Sequence, residues 1–148
     1  MLSQKAKYAM RALLYLAKAK SDEPVGIAEI ASKQAVPRKF LELILLELKR
    51  NGFVQSFRGK HGGYALAKSP EEIRFGEVIR LIDGPLAALP CASLTAYRRC
   101  SDCEDEATCV IRRVLKQVRD ASSGILDRTS LSDVLDGQMG EMVMGDGI

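Results

Sequence analysis

The sequence predicts a mainly α-helical chain interrupted by one small β-hairpin, with a long amphipathic helix near its C-terminal end. Three observations predict it. Apolar residues recur at intervals of three and four along much of the first fifty positions and again after residue 108. Two short strand-like runs within residues 53–67 flank a glycine-rich stretch. Between Pro85 and Ala107 neither period is present, and this stretch carries Cys91, Cys100 and Cys103.

The first helix is capped by Ser3, whose hydroxyl is suited to an orphan amide, and carries Ala6, Ala9, Met10, Leu13, Leu16 and Ala17 along one face, widened by Leu14 and Tyr15. It ends near Asp22-Glu23-Pro24. A short helix follows from Ile27 to about Gln34, then a break at Ala35-Val36. A longer helix is opened by Pro37 and closed by Asn51-Gly52. Two helices joined by so tight a turn make a helix-turn-helix candidate. In the second, Leu41, Ile44, Leu45 and Leu48 form the core stripe and leave Arg38, Lys39, Glu42, Lys49 and Arg50 facing outward. Its first exposed turn is polar and basic, the place where a recognition helix presents side chains to base edges.

The runs Phe53 to Arg58 and Tyr64 to Ala67 are joined by Gly59-Lys60-His61-Gly62-Gly63 and read as a hairpin. Three glycines in this stretch permit positive φ and leave little bulk, so the tip can approach a sugar-phosphate backbone while Arg58, Lys60 and His61 supply donors. Helix, turn, helix and basic hairpin is the order of a winged helix-turn-helix. From Ser69-Pro70 another short helix is expected, with Ile73, Val78, Ile79 and Ile82 as its apolar residues, stopping at Asp83-Gly84-Pro85. After the irregular stretch, Thr108 is expected to cap a helix with Ile111, Val114, Leu115, Val118, Ser122 and Ile125 on one face and Arg112, Arg113, Lys116 and Arg119 outside it. That stripe suits either a dimerisation face or packing against its own domain. The glycine-rich tail is expected to be disordered.

At 148 residues and 47% hydrophobic content the chain can bury a core without disulfides. Its only early apolar run, Ala12 to Ala17, is too short to span a bilayer, so a cytoplasmic protein with no membrane partner is expected. The net charge of +3 conceals an asymmetry: residues 1–68 carry about +8 and residues 69–148 about −5. A basic first half fits a polyanionic partner, or simply a solvated basic surface. Enzyme chemistry is not indicated. No phosphate-binding glycine loop opens a helix, no nucleophile sits beside a histidine, and His61 has no neighbouring carboxylate.

In a reducing compartment, four cysteines confined to positions 91–109 point to metal, cluster or redox chemistry before structural disulfides. Cys91, Cys100, Cys103 and Cys109 can converge on one centre, and four thiolates suit zinc and iron-sulfur clusters alike. Asp102, Glu104, Asp105 and Glu106 oppose further negative charge there, whereas the start of a helix at Cys109 favours its thiolate. A thiol-disulfide switch without metal, with Cys100 and Cys103 as its natural pair, is the other reading of the same residues.

Several segments together resemble a known bacterial family: the iron-sulfur cluster regulators, nitric-oxide-sensing repressors and cysteine-metabolism regulators that share one small winged-helix fold. The resemblance runs from Met1 to about Leu135. It is carried by Lys7-Tyr8-Ala9, by Pro37 to Leu41 with Glu42, by Arg58-Gly59-Lys60-His61-Gly62-Gly63-Tyr64 and by Gly76-Glu77-Val78-Ile79. It implies operator DNA as partner, homodimerisation through the helix after Cys109, and a repressor that senses iron-sulfur, redox or nitric-oxide status.

The resemblance places Arg38, Lys39 and Glu42 in the major groove and Arg58 in the minor groove. Arg38 and Lys39 can contact guanine or phosphate, and Glu42 can accept from cytosine or remain solvated. Ala35 stands where relatives often have glycine, and a helical or slightly altered turn is expected to accommodate it. Three cluster ligands map onto Cys91, Cys103 and Cys109. Some relatives add a histidine three residues after the last cysteine, here Arg112; others borrow a carboxylate from the partner's first helix, yet residues 1–21 contain none. Cys100 is therefore the expected fourth ligand, of a [2Fe–2S] or [4Fe–4S] cluster, with zinc or no metal as alternatives. The organisation implied is a winged helix-turn-helix over 1–84, a cysteine-bearing sensor loop over 85–107, a dimerisation helix and short following helix over 108–135, and a tail over 136–148.

Overall fold

The computed structural model describes residues 2–19 and 23–137. Among these residues six α-helices and one two-stranded hairpin follow in the order α1 (Gln4–Lys18), α2 (Ile27–Gln34), α3 (Arg38–Arg50), β1 (Val54–Phe57), β2 (Gly63–Leu66), α4 (Phe75–Asp83), α5 (Val110–Leu126) and α6 (Leu131–Leu135), with 3₁₀ turns at Pro70–Glu72 and Pro90–Ala92. The tail expected to be disordered lies, from residue 138 on, outside the described residues.

Helix α1 is the centre of the molecule, packing against α2, α3, α4, α6 and β2. Its small residues Ala6, Ala9 and Ala12 are fully buried and let its neighbours approach closely, while Met10, Leu13 and Leu16 fill the space between them. The four residues expected to form the α3 stripe, Leu41, Ile44, Leu45 and Leu48, are all fully buried in that core. Ser3 caps α1 as expected, accepting from the Ala6 amide at 3.0 Å, and its own amide donates to the Asp83 carboxylate at 2.8 Å, which joins the start of α1 to the end of α4.

Three local expectations are revised. The segment after Ser69 is two elements: a 3₁₀ turn closed by a capping box between Ser69 and Glu72, then α4. Between them Ile73 and Arg74 are extended because residues 129–131 pair with them: the Leu131 amide donates to Ile73 O at 3.1 Å and the Phe75 amide to Thr129 O at 3.0 Å. The cap of α5 is Cys109, one residue beyond Thr108, whose hydroxyl is taken by Asp105 at 3.0 Å. Ala35 does not enter a helical turn. It adopts φ 52° and ψ 48°, the left-handed geometry that reverses the chain between α2 and α3.

Helix α6 returns to the first unit. Leu131 is fully buried in the same core as Leu13 and Val78, and Ser130 caps α6 by accepting from the Asp133 amide at 3.1 Å. Among the described residues no helix is long and apolar enough to cross a membrane.

Candidate nucleic-acid interface and cysteine site

The positive φ of Ala35 sets the direction in which α3 leaves α2. The Val36 amide donates to Ala31 O at 3.0 Å, and Val36 is buried, so the turn is anchored on the core side. Pro37, at φ −56°, precedes the first helical residue. Arg38, Lys39 and Glu42 are exposed, as expected. Arg38 and Glu42 are brought together: Nε of the arginine lies 3.4 Å from Oε1 of the carboxylate, one helical turn apart. The exposed pair orients both side chains without contributing much stability.

The hairpin pairs Val54 with Leu66 through Phe57 with Gly63 and closes over residues 58–62. Arg58, Lys60 and His61 are all exposed at its tip and form no ion pair among the described residues. The free edge of β2 is taken by Val25, whose amide and carbonyl exchange 2.8 Å hydrogen bonds with Tyr64. That third backbone segment fixes the wing on the body. It also explains Gly63, where a Cβ would stand 2.2 Å from Val25 O.

The cysteines occupy the irregular segment and the start of α5. Cys91 is buried in the 3₁₀ turn Pro90–Ala92, and its sulfur lies 3.7 Å from that of Cys100. The Cys103 amide donates to Cys100 O at 3.3 Å. Cys109 caps α5, its sulfur accepting from the Arg112 amide at 3.4 Å. The structure thus sets the Cys100 sulfur against that of Cys91, whereas Cys100 and Cys103, the pair expected for a thiol switch, are joined through the main chain. Proximity to Cys91, then burial, then the charges of Cys91, Asp102 and Cys103 push the Cys100 thiol above its ordinary range. Among the described residues no three Cys, His, Asp or Glu side chains converge on one point. His61 stays at the wing, away from the thiols.

Two arginines expected on the outer face of α5 turn inward. Arg112 Nε donates to Cys91 O at 3.0 Å, and Arg119 is buried, with one guanidinium nitrogen on Ala92 O and two more donors on Asp120 at 2.8 and 2.5 Å. Both therefore grip the backbone of the cysteine turn. No sequence signal marks them, because the acceptors are main-chain carbonyls 21 and 27 residues upstream. The apolar face of α5 is uncovered in the single chain: Val110, Ile111, Val114, Val118 and Ile125 are 51 to 66% exposed. Leu43 and Leu46 of α3 are exposed as well. Sequence reasoning passed over them, although they lie opposite the core stripe and the helical period alone identifies that position.

Comparison with known proteins agrees with this arrangement. A family model described as Rrf2, iron-dependent transcriptional regulator, matches residues 2–137. A protein of Rhodobacter capsulatus described as an rrf2-like HTH-type transcriptional regulator is 47% identical over 138 residues, spanning 91% of this chain and 92% of that one. Among solved structures, CymR, the global cysteine regulator of B. subtilis, superposes with a TM-score of 0.76 at 29% identity, covering 92% of this chain and 96% of its own. IscR of T. potens gives 0.74 at 29% identity, covering 98% and 93%. The family and the Rhodobacter relative are described as transcriptional regulators, not as enzymes. The mainly helical fold with its hairpin wing, the extent of the match and the basic α3 and wing lead to one assignment: the chain belongs to the Rrf2 family of transcriptional regulators.

Proposed function

We propose that the protein is a cytoplasmic, homodimeric repressor that binds a pseudo-palindromic operator through residues 1–84 and reports on iron-sulfur, redox or nitric-oxide status through Cys91, Cys100, Cys103 and Cys109. The DNA-binding part is carried by the exposed cationic turn of α3, Arg38 and Lys39 with Glu42, beside a wing that presents Arg58, Lys60 and His61. Helix α3 enters the major groove, Arg58 the minor groove, and Lys60 and His61 hold phosphates. Dimerisation is carried by the uncovered apolar face of α5. It sets half-sites about one helical turn, roughly 10 base pairs, or a multiple of it apart.

For the sensor, the observation that counts is the Cys91–Cys100 contact. Two thiolates on one tetrahedral ion with bonds of about 2.3 Å stand roughly 3.7 to 3.8 Å apart, and these sulfurs are 3.7 Å apart. Cys91 and Cys100 thus stand as two ligands of one thiolate-bound centre would, and Cys103 and Cys109, in the same segment, are the residues that would complete the donor set. A bound cluster supplies redox and nitric-oxide reactivity. What the chain's own residues do is hold the centre against α5, since Arg112 and Arg119 fix the Cys91 turn and Cys109 opens the helix. The same contact favours a second reading, in which a peroxide-class oxidant takes two electrons and two protons from Cys91 and Cys100 to form a disulfide.

Protein purified without oxygen decides between them. A coloured product with iron and sulfide supports the cluster, with Cys91→Ala, Cys103→Ala and Cys109→Ala each abolishing the colour and Cys100→Ala leaving it labile or absent. Colourless protein with one zinc per chain rejects the cluster, and metal-free protein whose DNA affinity follows thiol oxidation establishes the switch. A stable monomer on and off DNA in sedimentation rejects the dimer.

A further inference from the structure

We propose that Leu43 and Leu46 are specificity residues of α3 that read thymine methyl groups in the major groove; the proposal rests on the DNA-binding reading given above. Burial of Leu41, Ile44, Leu45 and Leu48 fixes which side of α3 faces the core. At 3.6 residues per turn the ridge directly opposite consists of Lys39, Leu43, Leu46 and Arg50. Leu43 is 61% exposed and Leu46 40%. The line of α3 that projects furthest from the body is thus cationic at both ends and apolar in the middle.

Such a ridge fits one surface of duplex DNA. Leucine has neither donor nor acceptor, so pressing it on guanine O6 and N7 or on cytosine N4 strips those groups of water and returns nothing. The thymine C5 methyl is the apolar group that base pairs display in the major groove, and a leucine face buries it favourably. Lys39 and Arg50 at the two ends of the ridge are placed for the flanking phosphates. Charge also argues against a second copy of this chain as occupant. Arg38, Lys39, Lys49 and Arg50 crowd the exposed surface of α3, while Glu47 is engaged by Lys5 of α1, leaving Glu42 as the carboxylate beside the ridge. Two such surfaces repel; a polyanion is attracted. Readout is then divided between polar contacts by Arg38 and Glu42 on one flank and methyl contacts by Leu43 and Leu46 on the crest.

The test uses full-length protein and a duplex recovered from a randomised pool by selection. Each thymine of a half-site is replaced in turn by deoxyuridine, which deletes only the methyl group, and affinity is measured for the wild type, Leu43→Ala and Leu46→Ala. Both substitutions are at exposed helical positions and conserve the fold. At one or two thymines the wild type is expected to lose about three- to fivefold in affinity, the effect of one methyl withdrawn from an apolar contact. That loss should vanish in the corresponding alanine variant. If every thymine remains equally sensitive in all three proteins, or none is sensitive, the proposal is overturned. If the alanine variants lower self-association in sedimentation while thymine sensitivity persists, the crest is an interface between copies, which also overturns it. Failure of the wild type to select any duplex would instead remove the DNA-binding reading on which the proposal stands.

Discussion

Ala35 is the residue whose chemistry and position conflict most. A side chain in the left-handed region crowds the following carbonyl at a cost of about 1 to 2 kcal/mol, and Ala35 holds φ 52°. Glycine removes that crowding but gives the unfolded chain more freedom, worth about 0.4 to 1 kcal/mol against folding. The strain is the larger of the two, so Ala35→Gly should stabilise the protein by about 0.5 to 1 kcal/mol. In a chain of this size that is an increase in Tm of roughly 1 to 4 °C. An unchanged or lowered melting temperature in calorimetry would show that the turn is relaxed with alanine. The position of the break was legible in the sequence. Its conformation was not, because alanine gives no signal for positive φ and the turn is imposed by the packing of Val36.

At the scale of elements, one ion pair joins α4 to the C-terminal end of α5. Arg80 grips Asp127 with two bonds, of 2.6 and 2.8 Å, and Gly76 leaves the room: a Cβ there would lie 1.9 Å from Asp127 Oδ1. Arg80 holds the Asp127 carboxyl below the usual carboxylate range. A carboxylate whose folded pKa is depressed contributes stability above its unfolded value, about 3.9, and that contribution is lost as pH falls through the folded value. Both partners are partly exposed, so the pair contributes no more than about 1 kcal/mol. Two measurable consequences are expected. Asp127→Asn should flatten the decline in stability below about pH 5. Gly76→Ala should gain about 0.5 to 1 kcal/mol of helix propensity in an Asp127→Ala background, and be neutral or destabilising with Asp127 present. Additive behaviour in denaturant titrations would mean that the pair is too loose to matter. Sequence periodicity located α4 and α5 themselves. It could not show that a glycine on one faces an aspartate on the other, since neither residue belongs to an apolar stripe.

For the whole molecule, the question is how the cysteine turn is joined to the body. Arg119 is buried, and its bond to Ala92 O is charge-assisted, so replacing it leaves a carbonyl without its donor in a site poor in water. In metal-free protein Arg119→Leu should cost about 1 to 3 kcal/mol and raise the alkylation rate of Cys91, which is otherwise buried. Arg112→Ala should raise that rate more modestly. Unaltered Cys91 reactivity in both variants would show that the turn is held by its own packing. If ligation at Cys91 and Cys109 shifts α5, a coupling of about 1 to 3 kcal/mol suffices to change operator occupancy severalfold.

The sequence alone determined the elements whose logic is local. Period three-to-four runs located the helices, with α2 at its observed bounds, α1 and α3 near theirs and the start of α5 shifted by one residue, and glycine spacing located the wing. The exposed cations of α3 and the wing followed from the same periods. Tertiary structure decided whatever depends on partners distant in the chain. It split the segment after Ser69 by pairing residues 73–75 with 129–131, drew α6 into the first unit's core through Leu131, and set Cys100 against Cys91. It also turned Arg112 and Arg119 inward onto main-chain carbonyls. The physical reason is common to all of these. Local periodicity records which face of an element is apolar, whereas a backbone carbonyl or a thiol some ten to sixty residues away carries no pattern until packing brings it near.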